Sequence, residues 1–155
     1  MSKLDPQQVE IVGKHVLIAN LIAAGIEVAE PIRDRGIDLI AFVEGKNGGT
    51  FNACPIQLKA STNQVFGLDR KYENSHSLRI VFVWEATVPK DSELYSLTYE
   101  EAERILHIME YDLTDSWEKG RYVSTKPSRK LKELLKAHRV NEPKEWLAKL
   151  GFGKP

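Results

Sequence analysis

The segment from Gly45 to Gly49 constrains the fold of this 155-residue chain more than any other feature. It separates two apolar runs, residues 37–43 and 50–58, and its Asn47-Gly48 pair supplies the positive φ angles that a tight hairpin turn requires. The two runs are therefore predicted to form antiparallel strands. Their paired positions should sum to about 94 to 96, counted from the turn by ordinary hairpin geometry.

Three polar side chains fall on one face of this predicted hairpin. Ile37 and Leu39 flank Asp38, so the alternation of a strand puts Asp38 on the opposite face. On the returning strand, Gln57 and Lys59 alternate with apolar residues in the same way. The expected register places Asp38 opposite residues 56–58. We therefore expect Asp38, Gln57 and Lys59 to share one face at the strand ends far from the turn.

The rest of the chain adds helices and further strands in an order typical of an α/β or α+β protein. Asp5-Pro6-Gln7-Gln8 is a helix start with the residues of a capping box, and Gly25 is a helix stop. The predicted helices cover about residues 6–24, 99–109 and 128–138, with a last short one from Pro143. Further strands are predicted at 26–29, 78–84 and 94–97, and the run 78–84 is apolar enough for the centre of a sheet. The polar stretch 61–77 is expected to hold at most a short helix.

Composition excludes several classes of protein. Hydrophobic residues make up 42% of the chain and charged residues 28%, which is typical of a folded globular protein. No apolar run approaches the roughly 20 residues that span a bilayer, and the first residues lack the apolar segment of a signal peptide. Cys54 is the single cysteine, which excludes an internal disulfide and a cysteine-cluster zinc site. We expect a cytoplasmic protein.

Charge is distributed unevenly along the sequence although the net charge is zero. Residues 119–155 hold 11 Lys and Arg against three Asp and Glu, which gives a local charge of +8 that the preceding residues balance. We interpret this part as a basic helical extension that binds nucleic-acid phosphates. A solvated helix face is the alternative. The predicted contact residues lie before and along one helix: Lys126, Arg129, Lys130, Lys132 and Lys136.

Asp38, Gln57 and Lys59 suit metal-assisted hydrolysis of a phosphate ester. Asp38, the Gln57 amide oxygen and the Leu58 carbonyl are the oxygen donors that Mg²⁺ prefers. The ion would polarise a phosphate and lower the pKa of a bound water. Lys59 would orient that water or stabilise charge on the phosphate. The alternative is a half-exposed salt bridge between a strand Asp and a strand Lys.

The sequence Gly36-Ile37-Asp38-Leu39, followed after a hairpin by Ile56-Gln57-Leu58-Lys59, resembles the PD-(D/E)xK nuclease superfamily. The resemblance covers about residues 5 to 84. It extends to the leading helix, where Gly13 and Gly25 are placed as in the archaeal Holliday-junction-resolvase branch. Gln57 stands where the family usually has Asp or Glu, as in the Gln-x-Lys version found in some homing and restriction-type nucleases.

The resemblance implies a restriction-endonuclease-like α-β-β-β-α-β core with a central mixed sheet, to which the C-terminal basic helices are added. It also implies a nuclease that uses Mg²⁺ or Mn²⁺ and cuts nucleic acid, mostly DNA. Asp38 matches the metal-binding acid and Lys59 the lysine. Many members supply a Glu from the first helix, but the corresponding position here falls near Lys14 and His15. Glu10, one turn earlier, is the candidate substitute, and Glu30 at the end of the first strand is a second.

We therefore expect one nuclease domain over residues 1–155, with 119–155 packed on it as a basic extension. A two-fold dimer is expected, since a duplex has two strands to cut. The alternative is a binding module with a decayed site, which recognises nucleic acid or protein without cutting. Asp69 in Asp69-Arg70-Lys71 lacks apolar alternation and is interpreted as polar surface. Trp117, Tyr122 and Trp146 are interpreted as anchors of the helices rather than as stacking partners for bases.

Overall fold

The structure is a computed structural model that describes residues 3–47 and 49–153. Gly48 of the predicted hairpin turn lies outside the described residues. The helices are α1 Pro6–Ala23, α2 Tyr99–Ile108, α3 Asp115–Glu118, α4 Arg129–Leu135 and α5 Trp146–Lys149. The strands are β1 Glu27–Ala29, β2 Leu39–Glu44, β3 Phe51–Ala60, β4 Phe66–Asp69, β5 Arg79–Trp84, β6 Glu93–Thr98, β7 Arg121–Ser124 and β8 Arg139–Val140.

A mixed six-stranded sheet forms the centre of the described part of the chain, in the order β1-β2-β3-β5-β6-β8. β3 and β5 run parallel to each other, and the other neighbouring strands are antiparallel. Leu39 lies opposite Ile56, a position sum of 95 that confirms the predicted hairpin register. The predicted fold class, a mixed sheet combined with helices, is confirmed.

The connection between β3 and β5 differs from the helix that the family resemblance implies there. It contains strand β4 and a three-residue 3-10 turn, Arg70–Tyr72. β4 pairs with β7 in a separate two-stranded sheet, and its Phe66 and Leu68 are completely buried. β4 was not predicted, because its alternation is only four residues long and its partner strand lies far along the chain.

Two apolar clusters cover the two faces of the central sheet. On one face, α1 packs Leu17 and Leu21 against Ile56 and Leu58 of β3. Gly13 permits a very close approach, since a Cβ atom at this position would lie only 2.3 Å from the Cβ of Ala60. The helix therefore lies directly over the end of β3, the part of the strand that carries the predicted site residues.

The other face is covered by α2, by α4 and by β4 with its following turn. Leu131 and Leu135 of α4 are buried in this cluster, whereas Trp146 of α5 is buried in the cluster on the α1 face. Trp117 and Trp146 are both buried, as their interpretation as anchors requires. Among the described residues, no helix is long and apolar enough to cross a membrane.

Candidate active site

Asp38 lies directly before β2 and reaches across to the backbone of β3. Its own N–H donates to the Ile56 carbonyl at 2.8 Å, and its Oδ2 accepts a hydrogen bond from the Leu58 N–H at 2.6 Å. The carboxylate therefore takes the place of the main-chain acceptor that β2 would offer if the strand continued. This bond fixes the position of the acid on the edge of β3 that β2 leaves uncovered.

Gln57 and Lys59 project from β3 on the face opposite Ile56 and Leu58, as the alternation of the sequence predicts. The Oε1 atom of Gln57 is buried and has no hydrogen-bond partner among the described residues. A buried acceptor without a protein partner is costly, so such an atom is open to an ordered water, an ion or a ligand. The register continues from Leu39 and Ile56 to place Asp38 opposite Gln57.

Lys59 is held by an acid that the sequence pattern assigned to the polar surface. Its Nζ lies 3.4 Å from Oδ2 of Asp69, and the side chain of each residue is 19% exposed. Oδ1 of the same carboxylate lies 3.8 Å from Nε of Arg121 in β7. The interpretation of Asp69 as polar surface was therefore wrong. The short alternation of Phe66, Gly67, Leu68 and Asp69 was the local signal for a strand.

Burial perturbs both ionisable groups of the predicted site. It raises the pKa of Asp38 above its usual value, while the hydrogen bond from the Leu58 N–H opposes that change. Burial also lowers the pKa of Lys59, and the neighbouring Asp69 carboxylate opposes this change. Both changes have the direction that burial gives, because it disfavours the charged form of an acid and of a base alike.

The predicted metal ligands come from three elements and do not all line one cavity: Gln57 and Leu58 lie on β3, Asp38 lies before β2 and Glu10 lies on α1. Leu58 donates its N–H toward the β2 side, and its carbonyl faces the same side because both groups of a strand residue point in one direction. Glu10 is exposed on α1 and lines a cavity of about 300 Å³ together with Leu58, Lys59 and Arg121. Asp38 does not line this cavity.

No group of three His, Cys, Asp or Glu side chains with the geometry of a metal site occurs in the described ranges. A metal here would therefore depend on the amide oxygen of Gln57 and on the backbone carbonyl of Leu58 beside the Asp38 carboxylate. These are neutral or singly charged oxygen donors, which suit a hard, hydrated ion such as Mg²⁺.

The predicted nucleic-acid-binding side chains are not buried, and they lie before, along and directly after α4: Lys126, Arg129, Lys130, Lys132 and Lys136. Lys136 forms an ion pair with Glu133 at 2.7 Å, and Lys130 donates to the Ile108 carbonyl at 3.3 Å. Lys126 and Lys132 line a cavity with Asn63, on the segment that follows the end of β3. Of the predicted nucleic-acid-binding residues, Lys126 and Lys132 are therefore the two that lie beside the segment that follows β3.

The described part of the chain is a mixed α/β fold, with helices on both faces of the central sheet. The solved structure of a bacterial homing endonuclease, I-Ssp6803I, is similar to this chain with a TM-score of 0.50. The similarity covers 97% of this chain and 95% of that one at 12% sequence identity, so it concerns the fold alone. No protein-family model and no curated protein matches the sequence.

Proposed function

We propose that this protein is a metal-dependent nuclease that hydrolyses phosphodiester bonds in DNA, with a PD-(D/E)xK-type site of the Gln-x-Lys form. The observation that carries the proposal is the pairing of Asp38 with Gln57 across β2 and β3. The Asp38 carboxylate is fixed by the Leu58 N–H, and Gln57, opposite it in the register, carries a buried amide oxygen that has no hydrogen-bond partner among the described residues. The fold similarity to a homing endonuclease supports the same class of function.

The residues fit a divalent ion because the available donors are all oxygens. A bound Mg²⁺ or Mn²⁺ would supply a Lewis acid for the phosphate and a water of lowered pKa. Asp38 provides the charged ligand, held in place by the Leu58 N–H. Gln57 provides Oε1, and coordination would satisfy an acceptor that the described residues leave without a partner. Glu10 of α1 is the further acid in this proposal, supported by its position in the cavity that Leu58 and Lys59 also line.

Lys59 orients the attacking water or stabilises negative charge on the phosphate. Burial lowers its pKa, which brings the ammonium closer to the range in which it can exchange a proton with water. The ion pair with Asp69 limits the positions that Nζ can take. Asp69 therefore acts on the reaction through Lys59 and is a positioning residue in this proposal.

A second candidate function is a nucleic-acid- or protein-binding module that does not cut. The Lys59–Asp69 ion pair favours it, because a lysine neutralised by its own neighbour can serve the fold alone. The absence of a three-residue acidic or histidine cluster in the described ranges favours it as well. The two candidates differ in their dependence on metal ions.

The test compares wild type with Asp38→Asn and Lys59→Ala. Glu44→Gln is the matched control, because Glu44 is an exposed carboxylate at the other end of β2. Calorimetry measures the binding of Mg²⁺ and Mn²⁺, and gels measure cleavage of labelled duplex DNA and of RNA. Circular dichroism verifies that each variant is folded.

For a nuclease we expect metal-dependent cleavage that falls by about 10²-fold or more in both site variants, the scale of losing one charge-stabilising group. Asp38→Asn should also weaken metal binding, whereas Glu44→Gln should behave as wild type. Cleavage of RNA but not of DNA would show that the substrate is RNA rather than DNA. If folded wild type neither binds metal nor cuts either nucleic acid, the nuclease proposal is contradicted. The binding module is then the remaining candidate function.

A further inference from the structure

A second cavity lies beside the candidate active site and has a positively charged lining. Its volume is about 360 Å³, and Arg35 and Lys71 are the charged side chains among the described residues that line it. Ser75, Ser77 and Tyr72 add hydroxyl groups to the lining, and no carboxylate of the described residues belongs to it. Cations and hydroxyl donors without an anion form the donor set that binds a phosphate group.

The two cations are available to an external anion. Neither Arg35 nor Lys71 takes part in a salt bridge within the described part of the chain. The Nζ of Lys71 lies 4.9 Å from the centroid of the Tyr72 ring, a contact that keeps the ammonium at the cavity wall. Asp34, the nearest acid in the sequence, accepts a hydrogen bond from the Gly36 N–H and so fixes the turn.

Tyr72 presents a second buried polar group at the cavity wall, beside the Lys71 ammonium, whose pKa it raises. Its side chain is 7% exposed, and its hydroxyl has no hydrogen-bond partner among the described residues. Gly36 lies against this hydroxyl with a φ of +83°, and a Cβ atom at Gly36 would come within 2.9 Å of it. The turn therefore needs glycine for both its backbone angle and its contact with Tyr72.

The cavity is lined by residues that neighbour the candidate active site along the chain. Ile37 forms part of its wall, and Asp38 is the next residue. Pro55 also lines it, on the same face of β3 as Gln57 two residues later. Two residues of a strand span roughly 7 Å. A nucleic-acid strand whose phosphate reaches Asp38 therefore passes this cavity with a neighbouring phosphate.

We propose that the cavity between Arg35 and Lys71 binds a backbone phosphate of the nucleic acid, next to the phosphate that the candidate active site cleaves. The proposal rests on the proposed function for the position of the cleaved phosphate. Arg35 and Lys71 neutralise the bound phosphate, and the hydroxyl groups of Tyr72, Ser75 and Ser77 donate to its oxygens. Free inorganic phosphate has the same chemistry, so the test separates the two sources.

The experiment measures binding without cleavage, in the Asp38→Asn background, by fluorescence anisotropy of a labelled DNA duplex over a series of salt concentrations. Arg35→Ala, Lys71→Ala and the double variant are compared with Lys90→Ala, an exposed lysine outside the cavity. We expect the double variant to weaken binding about tenfold or more. Its salt slope should fall by about one, the value for one lost phosphate contact, and Lys90→Ala should change neither.

A second measurement titrates inorganic phosphate into the same proteins and follows its binding by NMR. Weak binding that is lost in the double variant, together with the change in DNA binding, supports the assignment. Loss of inorganic phosphate binding with unchanged DNA binding would show a small-anion site and overturn it. An equal loss in Lys90→Ala, or unchanged binding in the double variant, would overturn it too.

These outcomes are distinct from failure of the proposed function. If wild type does not cut in the presence of metal but the double variant loses DNA binding with a lower salt slope, the nuclease proposal fails and the phosphate site stands. If wild type cuts and the double variant binds as tightly as its parent, the phosphate site fails alone. A wild type that binds no nucleic acid contradicts both.

Discussion

Replacement of Asp38 by alanine and by asparagine should have different effects on stability although both remove the charge. The Leu58 N–H donates to the Asp38 carboxylate at 2.6 Å, on the edge of β3 beyond the end of β2. Alanine leaves this backbone donor without its partner. Asparagine keeps an oxygen at the same position, so the hydrogen bond can persist.

The size of the difference follows from the cost of a buried donor without a partner, which is about 1–3 kcal/mol. Leu58 is 7% exposed, so water does not readily replace the carboxylate. For a chain of this length, 1 kcal/mol corresponds to about 2–4 °C in the melting temperature. Asp38→Ala should therefore unfold several degrees below Asp38→Asn, while both lose the proposed activity.

The pH dependence gives a second measurement on the same residue. Burial raises the pKa of Asp38 above its usual value, so the folded protein holds this proton more tightly than the unfolded chain does. The contribution of Asp38 to stability is therefore full below the unfolded pKa and is lost as the pH rises through the folded pKa. As the pH rises from the unfolded to the folded pKa of Asp38, the free energy of unfolding of Asp38→Asn should increase relative to that of wild type. At higher pH the difference between the two proteins should stay constant.

Urea unfolding at a series of pH values measures both effects, provided that the variants share one m-value. Glu44→Gln again serves as the control, since Glu44 is exposed on the same strand. Equal midpoints for Asp38→Ala and Asp38→Asn would refute the role of the carboxylate as a backbone acceptor. If the difference in unfolding free energy between Asp38→Asn and wild type does not change with pH, burial does not raise the pKa of Asp38.

Three further predictions concern neighbouring parts of the structure. Asp69→Asn should lower the pKa of Lys59, because the Asp69 carboxylate raises it, and Arg121→Ala should raise it, because the Arg121 cation lowers it. The limb of the pH–rate profile due to Lys59 should therefore move to lower pH in the first variant and to higher pH in the second. A limb that moves in neither variant would exclude Lys59 as the titrating group. Gly13→Ala should lower the free energy of unfolding in urea by about 1–3 kcal/mol, since the new Cβ would lie 2.3 Å from the Ala60 side chain of β3. A variant that unfolds at the same urea concentration as wild type would contradict the close packing. Tyr72→Phe should leave the melting temperature unchanged or raise it, because its buried hydroxyl has no partner among the described residues; a clear fall would mean that the hydroxyl is paired.

The basic extension illustrates a limit of charge counting. The sequence places a charge of +8 in residues 119–155, yet the side chains in question differ in their surroundings. Lys136 is paired with Glu133, whereas Lys126 and Lys132 line a cavity near the end of β3. Net charge predicts an attraction to phosphates but does not say which cations face the substrate, because that depends on how the last helices pack.

The local elements followed from the sequence because their causes are local. The capping box of Asp5 and Gln8 starts α1, and that of Thr98 and Glu101 starts α2, as each sequence pattern predicts. The hairpin register follows from the turn and the alternation, so the sequence alone brings residue 38 opposite residue 57. These features depend on residues that lie close together along the chain.

The hairpin and its register followed from local pattern alone. The shared face of Asp38, Gln57 and Lys59 stays a prediction, because Asp38 lies before β2 and Ile37 packs in the cluster opposite to that of Leu39. The tertiary structure alone decided that Asp69 holds Lys59, because β4 reaches this position only by pairing with β7, far away in the chain. It also decided which polar atoms of the described residues are buried without a partner, such as Gln57 Oε1 and the Tyr72 hydroxyl. Burial and ion pairing depend on every element packed around a group, and no local pattern carries that information.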